Sequence, residues 1–158
     1  MKTYVGIDNG TTGWLSALNG NNYIHVAMPV KKEQSYTKKK QLITRIDVPK
    51  LIGLLSSLKS PTGVFVLLER AMCNPMRFKA SMAAMRSLEA VLIALELTDI
   101  PYSYCDSKHW QREFLPEGVS GKELKVAAVD IARRLFPDIK TKDADSLLMA
   151  EFARRKGL

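Results

Sequence analysis

Little in this 158-residue chain suits a soft metal or a covalent cross-link. It has two cysteines, Cys73 and Cys105, and two histidines, with no Cys-x-x-Cys pair and no Cys/His cluster. That excludes a zinc site and a disulfide framework, and both thiols are expected to be reduced. No apolar run reaches the roughly 18–20 residues that span a bilayer, so no membrane partner is expected. The first residues enter an apolar alternation without the basic and apolar stretches of a secretory signal. This points to a cytoplasmic protein, a host's cytoplasm included. Internal repeats and low-complexity tracts are also absent. Acids are scarce: 16 against 24 Lys and Arg, a net charge of +8. That excess favours a polyanionic partner, nucleic acid before anionic membrane, over a merely soluble basic protein. With 46% hydrophobic and 25% charged residues, the composition is ordinary for a globular protein. The length suits one domain over 1–158 and is short for two.

Scarce acids make their positions informative. Asp8 lies in Gly6-Ile7-Asp8-Asn9-Gly10-Thr11-Thr12-Gly13, directly after the apolar Tyr4-Val5. A carboxylate at a strand end, beside backbone that must bend sharply, is costly to fold around and so marks a candidate site. Glu69 ends the apolar run Val64-Phe65-Val66-Leu67-Leu68, and Asp145 opens an apolar segment continuing Leu147-Leu148-Met149-Ala150. Three carboxylates from three elements suggest a hard-cation site, with Mg²⁺ the first choice.

The coarse element order is β-rich, then alternating. Residues 3–8, 13–18 and 23–29 read as strands, the last two joined by the turn Asn19-Gly20-Asn21-Asn22. Lys31, Lys32, Lys38, Lys39, Lys40 and Arg45 fall in a polar stretch read as a mobile basic loop, either a solvated linker or a nucleic-acid contact. Asp47-Val48-Pro49 caps a short helix, and 64–69 reads as a strand buried on both faces. Asn74-Pro75 starts a long helix to about Leu97. Its apolar face is read as Phe78, Met82, Met85, Leu88, Leu92 and Leu95. A second face of Ala80, Ala83, Ala84, Ser87, Ala90, Val91 and Ala94 allows close approach to the sheet or to a partner subunit. Residues 102–105 read as a fifth strand and 109–115 as a short helix. Ser120 and Glu123 form a capping-box pattern before another helix, and the last helix runs from about Asp143 to Arg155. The fold class is α/β: a five-stranded mixed sheet, an antiparallel three-strand meander plus two parallel strands, with helices on both faces.

In such a sheet the first and fourth strands can be neighbours. Asp8 and Glu69 then stand side by side at its centre, and Asp145 can be brought over the same end. Two Mg²⁺ ions about 3.5–4 Å apart need carboxylates from separate rigid elements in this way.

The Gly-Ile-Asp-x-Gly start, the strand ending Leu-Leu-Glu69, the long helix and Ala144-Asp145-Ser146-Leu147-Leu148-Met149-Ala150 resemble RuvC-type Holliday junction resolvases. The resemblance runs in order over nearly the whole chain. Asp106-Ser107-Lys108-His109-Trp110-Gln111 is similar to the Trp-containing stretch after the fifth strand in phage-type members. The resemblance implies an RNase H-like fold and a homodimer. It also implies a two-Mg²⁺ site, with Mn²⁺ as a substitute, in which metal-activated water cuts four-way DNA junctions without a covalent intermediate. It gives Asp8, Glu69 and Asp145 as catalytic metal ligands, and it implies a viral or prophage origin. A fourth acid usually stands three residues before the last one. Here that position is Lys142, and the nearby acid is Asp143. Asp143 and Asp145 differ by about 200° on a helix, so Asp143 is either a fourth ligand from a non-helical position or a pure helix cap.

Arg70, Arg77 and Lys79 flank the site and are expected to meet the DNA backbone. Lys122 and Lys125 either reach the scissile phosphate or form an ordinary polar helix face. Phe78 either stacks on a base at a junction or, more commonly for such a residue, is core. Trp110 reads as packing, and neither His25 nor His109 receives a role.

Three rival functions remain. An RNase H-type enzyme cutting RNA–DNA hybrids would share the carboxylates but act as a monomer. Residues 6–12 also resemble the first phosphate loop of sugar kinases and actin-like ATPases. Those need a second domain and a second loop, for which the chain has no room. The third is a non-catalytic junction-binding module with a decayed site, against which the intact Asp8, Glu69 and Asp145 argue. No small-molecule cofactor is expected.

Overall fold

Gly20 takes a positive φ of 58° between the second and third strands, where glycine bears little steric cost. The structure, a computed structural model, describes residues 1–158. In chain order its elements are β1 (Thr3–Ile7), β2 (Trp14–Asn19), β3 (Asn22–Ala27), β4 (Val30–Gln34), β5 (Leu42–Ile46) and α1 (Val48–Ser57). There follow β6 (Val64–Glu69), α2 (Phe78–Leu97), β7 (Tyr102–Cys105), α3 (Ser107–Phe114), α4 (Gly121–Leu135) and α5 (Asp145–Lys156). Five strands form one mixed sheet ordered β3-β2-β1-β6-β7. β1 pairs antiparallel with β2 and parallel with β6, β2 pairs antiparallel with β3, and β6 pairs parallel with β7. The expected meander and parallel pair are therefore present, with β1 and β6 adjacent. No helix is long and apolar enough to cross a membrane.

Alternation along the strands builds two cores. Val5 and Ile7 of β1, Leu15 and Ala17 of β2, and Val66 and Leu68 of β6 cluster with Leu51 and Leu55 of α1 and Val91, Ala94 and Leu95 of α2. On the opposite face Leu18 and Leu67 join Trp110, Ala128, Ala132 and the buried stretch 147–150 of α5. Trp110 is thus packing, as expected. Gly6 also faces α5: a Cβ there would lie 2.0 Å from Ser146 O and 2.7 Å from Ala150 N. The missing side chain lets α5 lie against the middle of the sheet.

Two expectations hold only in part. The basic stretch is only partly a loop: β4 and β5 form a separate two-stranded antiparallel hairpin, pairing Val30 with Ile46 through Gln34 with Leu42, so that Lys31, Lys32 and Arg45 lie on strands and Lys38, Lys39 and Lys40 in the loop between them. β4 is polar, buries no residue and carries no apolar alternation, whereas β5 reads Leu-Ile-Thr-Arg-Ile and buries Ile46 in the core. Ion pairing supports β4, with Glu33 taking Lys31 of its own strand and Arg45 of the paired β5. Arg86 of α2 also donates to Thr44 O at 3.4 Å. The second is the core face of α2, which holds only in its C-terminal half, where Leu95 is buried and Leu88 and Leu92 pack against the core. Phe78, Met82 and Met85 are exposed, while Ser87, Val91, Ala94 and Leu95 are buried. Small side chains bring the helix close to α1 and the sheet. Phe78, Met82 and Met85 point outward, and Ser87, Val91 and Ala94 of the small-residue face are spent on the chain's own core.

Candidate active site

The alternation that places Tyr4 and Gly6 toward α5 places Asp8 there too. Gly13 supports the turn behind it, since a Cβ on Gly13 would lie 2.0 Å from Asp8 O. Asn9 Nδ2 donates to Ala84 O at 3.1 Å, tying the turn to α2. On β6, Leu68 is the register partner of Ile7, so Glu69 follows beside Asp8. Glu69 accepts a hydrogen bond from Ser107 Oγ, at the start of α3. Asp145 is the first residue of α5.

One carboxylate oxygen each from Asp8, Asp143 and Asp145 lies within 4.8 Å of the others. Asp143 stands two residues before α5, outside the helix. Its Oδ1 accepts from Asp145 N–H at 3.2 Å, and its Oδ2 faces Lys125 Nζ at 3.2 Å. Ala144, not Asp143, occupies the N-cap position of α5, while Asp143 accepts from a helix-start amide and stands in the acid cluster. Ser120 occupies the N-cap position of α4 as expected, but its side chain makes no capping hydrogen bond.

Crowding these acids has an electrostatic consequence. Burial, then the charge and hydrogen bond of Glu69, then Asp143 and Asp145, push the Asp8 carboxyl up to about 8. Burial, then Asp143 and Glu69, push Asp145 up to about 6, opposed by Lys125. The Asp143 carboxylate in turn raises the Lys125 ammonium. The donors are all hard oxygens, and their mutual repulsion is what a divalent cation relieves. The cluster therefore fits a hard divalent cation in donor chemistry and charge.

Of the expected nucleic-acid residues, Arg70 and Arg77 line one cleft with Asn9 and Glu69. Arg70 is exposed, pairs with Asp106 at 3.2 Å and lies 4.9 Å from the Tyr104 ring centroid. An open cleft of about 640 Å³ adjoins it, lined by Arg70, Met72, Cys73, Lys108, His109 and Arg112. Arg77 ends a 3₁₀ turn over Pro75–Arg77, and Lys79 follows it, both exposed. Phe78 is 69% exposed, which overturns the core alternative. Lys122 is exposed on α4, one turn before Lys125.

Sequence reasoning missed His25. Its Nδ1 lies 2.7 Å from Ser16 Oγ and its Nε2 lies 2.8 Å from Thr141 Oγ1. Its ring stacks on Trp14 at 4.4 Å with an interplanar angle of 4°. Burial holds the imidazole below its usual range, against the opposing pull of Asp143. The one sequence signal is parity: in β3, His25 shares the face of Tyr23, which packs on the α5 side.

The sheet order, antiparallel on one side of β1 and parallel on the other, with helices on both faces, is that of the RNase H-like fold. Within that class the chain has the fold of RuvC. It matches T. thermophilus RuvC in complex with a Holliday junction substrate at TM-score 0.63 and 13% identity, covering 99% of this chain and 97% of that one. It matches a Thermus thermophilus RuvC structure at TM-score 0.54 and 18% identity, covering 98% and 96%. At these identities the likeness is one of fold. The sequence matches no protein-family model and no curated protein.

Proposed function

We propose that this chain is a Mg²⁺-dependent, structure-selective endodeoxyribonuclease that cuts four-way DNA junctions. The observation that carries the reading is the meeting of Asp8, Asp143 and Asp145 at 4.8 Å or less, with Glu69 beside Asp8. They do so on the fold of a protein solved with a Holliday junction. Asp8, Glu69, Asp143 and Asp145 hold the divalent cations, Mg²⁺ or in its place Mn²⁺. Bound there, the cations would activate water and stabilise the leaving 3′-oxygen. Lys125 steadies Asp143, and Lys122, one turn away, reaches the flanking phosphate.

Arg70, Arg77 and Lys79 contact the backbone of the strand entering the site. Phe78, exposed at the start of α2, stacks on a base at the branch point. Lys38, Lys39 and Lys40, exposed at the tip of the β4–β5 hairpin, take the phosphates of a duplex arm.

Two symmetric cuts need two sites, so the active species is a homodimer. The outward stripe of α2, which continues from Met82 and Met85 to Ile93 and Leu97, forms its interface.

The test is nicking of a labelled immobile four-way junction with Mg²⁺, beside linear duplex and RNA–DNA hybrid, with Asp8→Asn as control. Cutting of the junction alone, absent in the variant, is expected. Cutting of the hybrid alone would move the chain to the ribonuclease class. Binding without cutting in Mg²⁺ or Mn²⁺ would leave a junction-binding module.

A further inference from the structure

We propose that His25 is a positioning residue: through Thr141 it fixes the backbone that presents Asp143 and Asp145. This rests on the reading of those two acids as cation ligands. The inference follows from counting protons along one chain of hydrogen bonds. Thr141 Oγ1 donates to Asp143 O at 2.6 Å and accepts from Asp143 N–H at 3.1 Å. A hydroxyl has one proton, so toward His25 Nε2 at 2.8 Å it accepts. Nε2 therefore carries the ring proton, and the Nδ1 lone pair of the neutral ring accepts from Ser16 Oγ at 2.7 Å. The Ser16 proton is then used, and Ser16 Oγ accepts from Ser146 Oγ at 2.7 Å.

Every donor in this relay points the same way, from the first turn of α5 across β2 and β3 to the loop before α5. Its two ends bracket the ligand segment, with Thr141 on one side of Asp143 and Ser146 on the other side of Asp145. Ser16, Thr141 and Ser146 are all buried, so water does not replace a lost partner. Ser16 and His25 are register partners on β2 and β3, and Trp14 stacks on the ring from the same strand as Ser16. The imidazole is thus held on rigid sheet, while its Nε2–H holds the irregular segment that connects α4 to α5.

The test compares full-length wild type with His25→Ala, His25→Gln, His25→Asn and Thr141→Val. Mn²⁺ affinity is measured by calorimetry, and amide exchange is measured at Asp143 and Asp145 without metal. A glutamine amide reaches the place of Nε2, whereas an asparagine amide reaches only that of Nδ1. His25→Ala and His25→Asn are expected to weaken Mn²⁺ binding about 10–100-fold and to speed exchange of both amides. His25→Gln is expected to keep both close to wild type. A His25→Ala protein that binds Mn²⁺ and exchanges like wild type overturns the proposal. So does a His25→Gln protein as defective as His25→Ala, since the ring stack would then be the whole role. If His25→Ala does not fold, Thr141→Val decides: it replaces a hydroxyl by a methyl, and wild-type behaviour in it overturns the proposal. Wild type that binds no Mn²⁺ sinks the metal reading instead, and the exchange rates still decide the role of His25.

Discussion

Gly6 lies against the backbone of Ser146, so closely that a Cβ on it would come within 2.0 Å of the Ser146 carbonyl oxygen. Ser146 follows Asp145 and Gly6 precedes Asp8 by two residues on the same sheet face. The contact therefore sets the distance between the two acids. Gly6→Ala is expected to cost at least about 1–3 kcal/mol, because the obstructing atoms are backbone and cannot turn aside. It is also expected to weaken Mn²⁺ binding, since α5 must lift away from β1. Thermal unfolding and calorimetry measure the two losses.

Asp8→Asn separates stability from function. The amide removes a carboxyl that burial and Glu69 already force toward its neutral form. The metal-free variant is expected to be more stable than wild type at pH 8, by about 1–3 kcal/mol. Its Mg²⁺-dependent cleavage is expected to fall at least about 100-fold. Denaturant unfolding beside a cleavage time course checks both signs.

Metal-free wild type is expected to lose stability as pH rises. Asp8 and Asp145 are raised from 3.8 to about 8 and about 6, so between pH 4 and 8 the folded state binds more protons than the unfolded one. Their contribution is complete below pH 4 and lost as pH passes 6 and then 8. Saturating Mg²⁺ should cancel or reverse the loss at pH 8, because it binds the ionised folded cluster. Melting temperatures at pH 5 and 8, with and without Mg²⁺, give the comparison.

Replacing Met82 and Met85 together by lysine removes two exposed apolar side chains from the outward stripe of α2. The self-association proposed for that face should be lost, with the sedimenting mass falling to that of one chain. Stability should change by less than about 0.5 kcal/mol, as expected for surface positions. Junction cuts should become single and unpaired.

The parts of the fold that depend on short-range pattern were legible in the sequence. Asp8 and Glu69 each end an apolar strand, and two parallel neighbours in register bring such ends together. Asp145 was legible from its apolar sequel, and Asp143 only as two alternatives; the N-cap is Ala144, and Asp143 stands in the acid cluster. The β4–β5 hairpin was not legible, because Val30–Gln34 reads Val-Lys-Lys-Glu-Gln and is supported by ion pairs rather than by an apolar face. The N-terminal half of the α2 face was misjudged for a related reason, while Leu88, Leu92 and Leu95 face the core as expected. Methionine and phenylalanine at helical spacing look like core, yet Ser87, Val91 and Ala94 allow the closer approach and win burial. His25 had no signal beyond parity, since its partner Thr141 is 116 residues away and is brought near only by the complete sheet.

The most direct test of the central claim uses a supercoiled plasmid that extrudes a cruciform. The account expects linear product with Mg²⁺ from two symmetric cuts at the cruciform base. It expects none from a control plasmid without the inverted repeat, and none from Asp8→Asn. Equal cutting of both plasmids, or no cutting of either by wild type in Mg²⁺ or Mn²⁺, would contradict it.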